Sequence, residues 1–267
     1  MAKKKELTKE EKIKNYKASS IEALTPLQHL RTRPNLTFGD ERGCEEYPHS
    51  TQKNVAIREI LDNGLGEVAI GVATHLRVTF YKDGVVKVDD NGRGIPTDIS
   101  KDAYGKDVSG IFKALGLLQS GSALKGVQKG KFTTSQNGVG GSSTNGTSEW
   151  FKVRVFKNNK IYALDFLDYV PGLFDDKGAF KPAKNNAELY VTKDNRSKEE
   201  KTEFSHGSSV EFKLNDKWFI VPYPFDKEDI IARIKGAAYL YPRTTMEVLD
   251  EQEDGSFNKQ IFNSEDG

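Results

Sequence analysis

The chain has 267 residues, 30% of them charged and 36% hydrophobic, enough for one large or two small globular domains with a real core. Forty Lys and Arg against 39 Asp and Glu leave a net charge of +1, so no overall basic field argues for nucleic acid. The single cysteine, Cys44, excludes an internal disulfide and fits a reducing cytosol, and no apolar run approaches the ~18 residues of a membrane span.

Residues 1–14 read as a flexible basic N-terminus. They lack the apolar core of a secretory signal. The lysines at 3–5 suit either a solvated end or a tail that touches DNA. Over 16–40, Ser20 is a candidate N-cap for a helix with Ile21, Leu24, Leu27 and Leu30 on one stripe, broken by Pro34 and Gly39. Ser50 or Thr51 caps the next helix, expected to run to about Gly71. Ile57, Ile60, Leu61, Leu65 and Val68 form its apolar face. Glu59, Asn63 and Glu67, at i, i+4 and i+8, form a polar stripe beside it. Gly64 and Gly66 weaken that helix by roughly 1 kcal/mol each, so their presence predicts a close approach.

A hairpin follows: Leu76–Tyr81 alternates, Lys82-Asp83-Gly84 turns, and the return strand delivers Asp90 at its end. Ser109–Leu118 reads as a helix. Residues 119–147, rich in Gly, Ser, Thr and Lys, suit either a linker or a mobile lid. Strands are expected at 150–156, 160–166 and 208–214, with a polar, irregular insertion at 171–205. A helix over 226–239 and closing strands near 246–249 and 259–262 complete the chain. Strands and helices do not alternate as βαβ units, which argues for an α+β layered sandwich.

Three segments carry the chemistry. Asp90 precedes Asn91-Gly92-Arg93-Gly94-Ile95-Pro96. A carboxylate there can accept a hydrogen bond from an exocyclic amine such as that of adenine, and the glycines let backbone approach a flat ring. Taken alone, a plain turn explains it as well. Asn63 offers an amide oxygen suited to Mg²⁺, which takes few protein ligands. Glu59, one turn earlier, can polarise a water for attack on a γ-phosphate, and Glu67 can pair with Arg93. An exposed polar helix face is the ordinary alternative. Asn137-Gly138-Val139-Gly140-Gly141 precedes a short segment with some helical character, where backbone amides can bind phosphate, though a flexible loop is the commoner explanation. Ser208 can add a hydroxyl beside Asp90.

In this order, the helix Glu/Asn, the Asp-x-Gly-x-Gly, the Gly-x-Gly and the Gly-Ser on a strand resemble the GHKL ATPase superfamily. That superfamily includes DNA gyrase, mismatch-repair proteins, large heat-shock chaperones and histidine kinases. No G-x-x-x-x-G-K-[ST] P-loop competes. Asn15–Leu24 and Leu30–Asp40, with Arg33-Pro34, resemble the N-terminal arm of type II topoisomerase ATPase subunits, as in gyrase B and topoisomerase IV ParE. The resemblance covers roughly residues 15–250.

The resemblance implies a two-layer α/β sandwich of the GHKL (Bergerat) type, α+β in class, with a mixed, mainly antiparallel sheet and helices on one face. It implies a dimerisation arm at 15–40 and an ATP-binding domain at 41–267 with the lid at 119–147. Glu59 matches the general base, Asn63 the magnesium ligand and Asp90 the adenine-reading carboxylate. Gly92, Arg93 and Gly94 match the turn, Ile95 and Pro96 the adenine pocket, and Asn137, Gly138, Val139 and Gly140 the phosphate lid. Glu67 and Ser208 flank the nucleotide, and Tyr16 matches the arm tyrosine that contacts nucleotide in the other protomer of a dimer. The implied cofactors are ATP and Mg²⁺. The implied partners are a second copy, DNA, a DNA-cleaving subunit or domain, and aminocoumarin-type inhibitors, with no membrane. The implied location is the bacterial cytoplasm, at the nucleoid.

There are departures. Val55 stands where gyrases often carry a histidine, Gly66 replaces a common acidic residue, and Asn137 replaces a common histidine. This divergence fits a viral, phage or plasmid-borne enzyme. Only the nucleotide-binding domain is recognisable, so a fragment that binds ATP and hydrolyses it slowly is expected. The rival readings are a GHKL clamp of chaperone or mismatch-repair type, against which the arm argues, and a histidine kinase, which would need an upstream phosphoacceptor-histidine helix that His29 and His49 do not supply.

Overall fold

The computed structural model describes residues 8, 15, 24–39, 51–118, 140–219 and 224–264. Its framework is a 10-stranded sheet. In chain order the strands are β1 (His75–Phe80), β2 (Val85–Asp90), β5 (Ser148–Lys157), β6 (Lys160–Leu167), β7 (Val170–Phe174), β8 (Phe180–Pro182), β9 (Tyr190–Thr192), β10 (Gly207–Leu214), β11 (Thr245–Glu251) and β12 (Phe257–Phe262). β3 (Ile99–Lys101) and β4 (Asp107–Ser109) form a separate hairpin. The spatial order is β12-β11-β1-β2-β10-β5-β6-β7-β8, with β9 beside β6. β1 and β11 pair parallel, and every other described pairing is antiparallel.

One face of the sheet is covered by helices. These are α1 (Pro26–Thr32), α2 (Asn35–Phe38), α3 (Gln52–Ala69), α4 (Gly110–Leu115), α5 (Gly140–Gly146) and α7 (Lys227–Leu240). The core lies between the layers: Ile57, Ile60, Leu61 and Leu65 of α3 meet Leu76, Val78, Val86, Val88, Phe151, Phe166 and Phe212 of the sheet. The six-residue α6 (Lys198–Glu203) caps the opposite face, where Glu203 pairs with Arg77 and Phe204 packs with Phe156 and Ile161.

α3 is the central helix. Thr51 caps it by accepting the Asn54 amide, as its sequence predicts. Gly64 allows the close approach expected of it: a Cβ there would come within 2.5 Å of Leu76 Cδ1 and 3.6 Å of Asp90 Cβ. Polar contacts fix the helix against α7. Arg58 pairs with Asp229, and Arg233 holds Asp62 with two hydrogen bonds of 2.7 and 2.6 Å. Asn54, fully buried, donates to the Asp226 carbonyl and to Asp229 Oδ2, and accepts the Asp226 amide.

Three expectations are corrected. The helix of the N-terminal arm begins at Pro26, with Thr25 and Gln28 as a capping box, because proline needs no amide partner at the first helical position. Leu24 therefore precedes it, and Ser20 and Ile21 lie outside the described residues. The stretch 119–147 is not all loop, since Gly140–Gly146 is a buried helix. Thr144 donates to the Ala56 carbonyl at 2.8 Å, and Asn145 donates to that of Leu115 at 2.9 Å, so tertiary contacts hold a segment of poor helix propensity. The stretch 171–205 is not irregular. It extends the sheet through β7, β8 and β9 and forms α6, whose start Ser197 and Glu200 close as a capping box.

Replacing Asn54 with Ala strips partners from both backbone polar groups of Asp226 and from Asp229. Asn54→Ala is expected to lower stability by roughly 2–4 kcal/mol in urea unfolding, with helix content by circular dichroism unchanged.

Candidate active site

The site forms where the C-terminal end of β2 meets the polar stripe of α3 and the start of α5. Antiparallel pairing places Asp90 between Leu76 of β1 and Ser208 of β10, at the end of the strand under Gly64. Its side chain is buried, and Oδ1 accepts the Gly92 amide at 2.8 Å. Burial pushes the Asp90 carboxyl up to about 7. The Glu67 and Asp89 charges push the same way, while the Gly92 and Ser208 amides oppose the shift. A carboxylate this poorly hydrated is suited to a ligand that donates to it.

Beyond Asp90 the chain turns through 91–96, and its polar groups are held from several elements. The Asn91 amide donates to the His75 carbonyl, and Asn91 Oδ1 accepts the Thr74 and His75 amides. Glu67 Oε2 accepts the Arg93 amide at 3.0 Å, and the Arg93 guanidinium clasps the Glu67 carboxylate at 2.9 and 2.7 Å. Burial raises the Glu67 carboxyl, but the hydrogen bonds and charge of Arg93 outweigh it and hold it below the usual range. Glu67 thus ties α3 to the turn. The Ile95 amide donates to Ser208 Oγ at 3.1 Å. Gly94 has φ +73° and lies against Val155 and the Gly207 carbonyl, a conformation and a space that require glycine. Ile95 packs on the core, and Pro96 lies exposed beside Gly110.

Glu59 and Asn63 project from α3 toward α5. A Cβ on Gly140 would collide with the Glu59 carboxylate, and one on Gly141 would lie 3.5 Å from Asn63 Nδ2. The two glycines let the start of α5 press on the polar stripe. Burial raises the Glu59 carboxyl, the Asp62 charge raises it further, and Arg233 offsets part of this. A more basic carboxylate is a better proton acceptor. Glu59, Asn63, Glu67, Asp90, Gly92, Arg93, Gly94, Ile95, Gly140 and Ser208 therefore converge on one region, with Pro96 at its edge. Tyr16, Asn137, Gly138 and Val139 lie outside the described residues.

One contributor was not anticipated from the sequence. His206 Nδ1 lies 2.7 Å from the Gly92 carbonyl. Its adjacency to Gly207-Ser208 was the available signal, but the intervening insertion hid its proximity to the turn.

This architecture is that of a GHKL-type ATPase domain. It matches the 43K ATPase domain of Thermus thermophilus gyrase B, solved in complex with an aminocoumarin, with a TM-score of 0.61 and 26% identity over 90% of this chain and 51% of that one. The chain's homologues are type II topoisomerase B subunits. It is 32% identical over 240 residues to the B subunit of the type 2 topoisomerase of Aquifex aeolicus, covering 89% of this chain and 26% of that protein. It is 29% identical over 259 residues to the DNA gyrase B subunit of Chlamydia pneumoniae, covering 96% and 28%. It is also 29% identical over 260 residues to the DNA topoisomerase 4 B subunit of Staphylococcus aureus, covering 96% and 34%. The chain thus spans about a quarter to a third of the length of these relatives. No family model matches it.

The raised Asp90 carboxyl has a consequence for stability. The native state holds this proton more tightly than the unfolded chain, whose aspartates titrate near ~3.9, so stability falls as pH rises from about 4 to about 7. Asp90→Asn removes that penalty and keeps an oxygen for the Gly92 amide. The ligand-free variant is expected to melt above the parent at pH 8, with a smaller gain at pH 5, the two gains differing by roughly 2 kcal/mol. Differential scanning calorimetry at both pH values reads this.

Proposed function

We propose that the chain is the ATP-binding and ATP-hydrolysing domain of a type II DNA topoisomerase, in which nucleotide binding closes an N-terminal gate between two copies. The observation that carries the reading is the desolvated Asp90 carboxylate at a glycine turn, facing the same region as Glu59 and Asn63. Homology to topoisomerase B subunits supports it and disfavours a chaperone or mismatch-repair clamp.

The residues fit ATP and Mg²⁺. Asp90 would accept the adenine amine, which compensates a buried charge that the protein alone leaves costly. Gly92, Gly94, Ile95 and Ser208 would shape the adenine pocket, with Pro96 at its rim. The Gly138–Gly140 segment would supply phosphate-facing backbone. Asn63 would ligate Mg²⁺ through its amide oxygen. Among the described residues no group of three or more His, Cys, Asp or Glu could hold a metal, and Mg²⁺ commonly takes one or two protein ligands with phosphate and water. When bound, Mg²⁺ would neutralise phosphate charge. Glu59 would take the proton of the water that attacks the γ-phosphate, its raised basicity favouring that transfer.

The wider biology belongs to the same proposal. The arm at 15–40, with Tyr16, would reach a second copy, and DNA and a DNA-cleaving subunit or domain would be engaged by the rest of the enzyme. The aminocoumarin on the T. thermophilus domain makes such compounds candidate inhibitors here. Among the described residues no helix is long and apolar enough to cross a membrane, and we place the protein in the bacterial cytoplasm, with a phage origin consistent with its divergence.

Calorimetric titration with Mg²⁺ and a non-hydrolysable ATP analogue tests the site. Asp90→Asn is expected to weaken binding about tenfold to a hundredfold, whereas Glu59→Ala keeps binding and lowers turnover by about 10²–10⁴. Normal turnover by Glu59→Ala would remove Glu59 from the role of base.

A further inference from the structure

His206 has no role in the proposed ATPase chemistry, yet it touches the turn on which the adenine site depends. We propose that His206 is a positioning residue for the nucleotide site, clamping the Gly92–Arg93 peptide by donating from Nδ1 to the Gly92 carbonyl. The inference rests on the reading of that turn as the adenine site.

The clamp follows from peptide planarity. The Gly92 carbonyl and the Arg93 amide belong to one rigid plane and point in opposite directions. Glu67 of α3 holds the amide at 3.0 Å, and His206, at the start of β10, holds the carbonyl at 2.7 Å. Glycine stands at 92 and at 94, with only Arg93 between, so rotation of this peptide is sterically cheap unless both ends are held. Any rotation would disturb the neighbouring Gly92 amide that orients Asp90.

His206 is exposed, but the chain on either side of it is fixed. Two residues earlier Phe204 is buried in the cluster with Phe156 and Ile161, its ring 4.7 Å from that of His75 and under the Arg77 guanidinium at 4.8 Å. Its carbonyl accepts Arg196 Nη1 at 2.6 Å. On the other side Gly207, at φ +117°, presses on the Asp90 carbonyl where no side chain fits, and Ser208 enters β10. The segment 204–208 thus links the α6 insertion to the nucleotide turn through a short, constrained path.

A carbonyl only accepts, so Nδ1 must carry the hydrogen and the neutral ring is the Nδ1–H tautomer. Asn is the matching replacement, since its Nδ2 can donate from nearly the position of Nδ1.

The test uses the whole chain as parent, His206→Ala and His206→Asn. Hydrogen exchange is followed over residues 91–95, alongside calorimetric affinity for a non-hydrolysable ATP analogue with Mg²⁺. His206→Ala is expected to weaken affinity about three- to tenfold, the range of one neutral hydrogen bond, and to speed exchange in the turn and not in the core of α3. His206→Asn restores both, and ¹⁵N NMR of the parent shows the Nδ1–H tautomer. Unchanged affinity and exchange in His206→Ala, an Asn variant no better than Ala, or the Nε2–H tautomer overturns the proposal while leaving the site reading intact. Faster exchange in His206→Ala with no saturable binding by the parent overturns the nucleotide role of the clamp together with the site reading on which it rests.

Discussion

A carboxylate withheld from water is the constraint around which this site is organised. Asp90 ends β2 where the sheet, α3 and the β10 strand leave it little solvent. Ionised there, it is costly unless something donates to it. The surrounding chain offers it the Gly92 and Ser208 amides and devotes its remaining contacts to holding the turn rather than to neutralising the charge. The protein therefore carries an unmet electrostatic demand at a defined point, which a donor placed there would meet. Stability and recognition oppose each other at this residue.

The helix layer solves a different problem, which is bringing the polar stripe of α3 against the backbone of α5 without a side chain between them. Gly140 meets the Glu59 carboxylate, and Gly141 meets Leu115 Cδ2, at distances that a methyl group would forbid. The segment Gly140–Gly146 contains three glycines, two serines, a threonine and an asparagine, and holds its helical form through hydrogen bonds to Ala56 and Leu115. Arg31 of α1 adds a bond to the Gly146 carbonyl at 2.7 Å. Helices α1, α5 and α3 are thereby linked in one hydrogen-bonded stack.

Much of this was legible in the sequence because it lies in local pattern. Thr51 and the i, i+4, i+8 stripe of α3 declare the helix and its polar edge. The hairpin turn at Lys82–Gly84 fixes the register that carries Asp90 to its place, and Gly64 announced a close neighbour that Leu76 supplies. What was not legible depends on contacts distant in sequence. The short helical segment expected after the glycines is present as α5, but with neither apolar periodicity nor propensity its packing could not be read from the sequence. The strands of 171–205 are only three to five residues long, too short for alternation to mark them. His206 meets Gly92 across 114 positions, and nothing in either neighbourhood specifies the other.

The parallel pairing of β1 with β11 sets the order in which the molecule can be completed. It joins positions such as Arg77 and Glu247, 170 apart in sequence, and β2 waits for β10 to supply its second neighbour. During synthesis the hairpin bearing Asp90 emerges early but stands as an unfinished two-stranded ribbon, which is marginal by itself. The nucleotide turn acquires its Ser208 and His206 contacts only after more than a hundred further residues are made. Contacts of such long range also favour slow folding. The turn after Asp90 is thus complete only in the finished domain, after its sheet has closed.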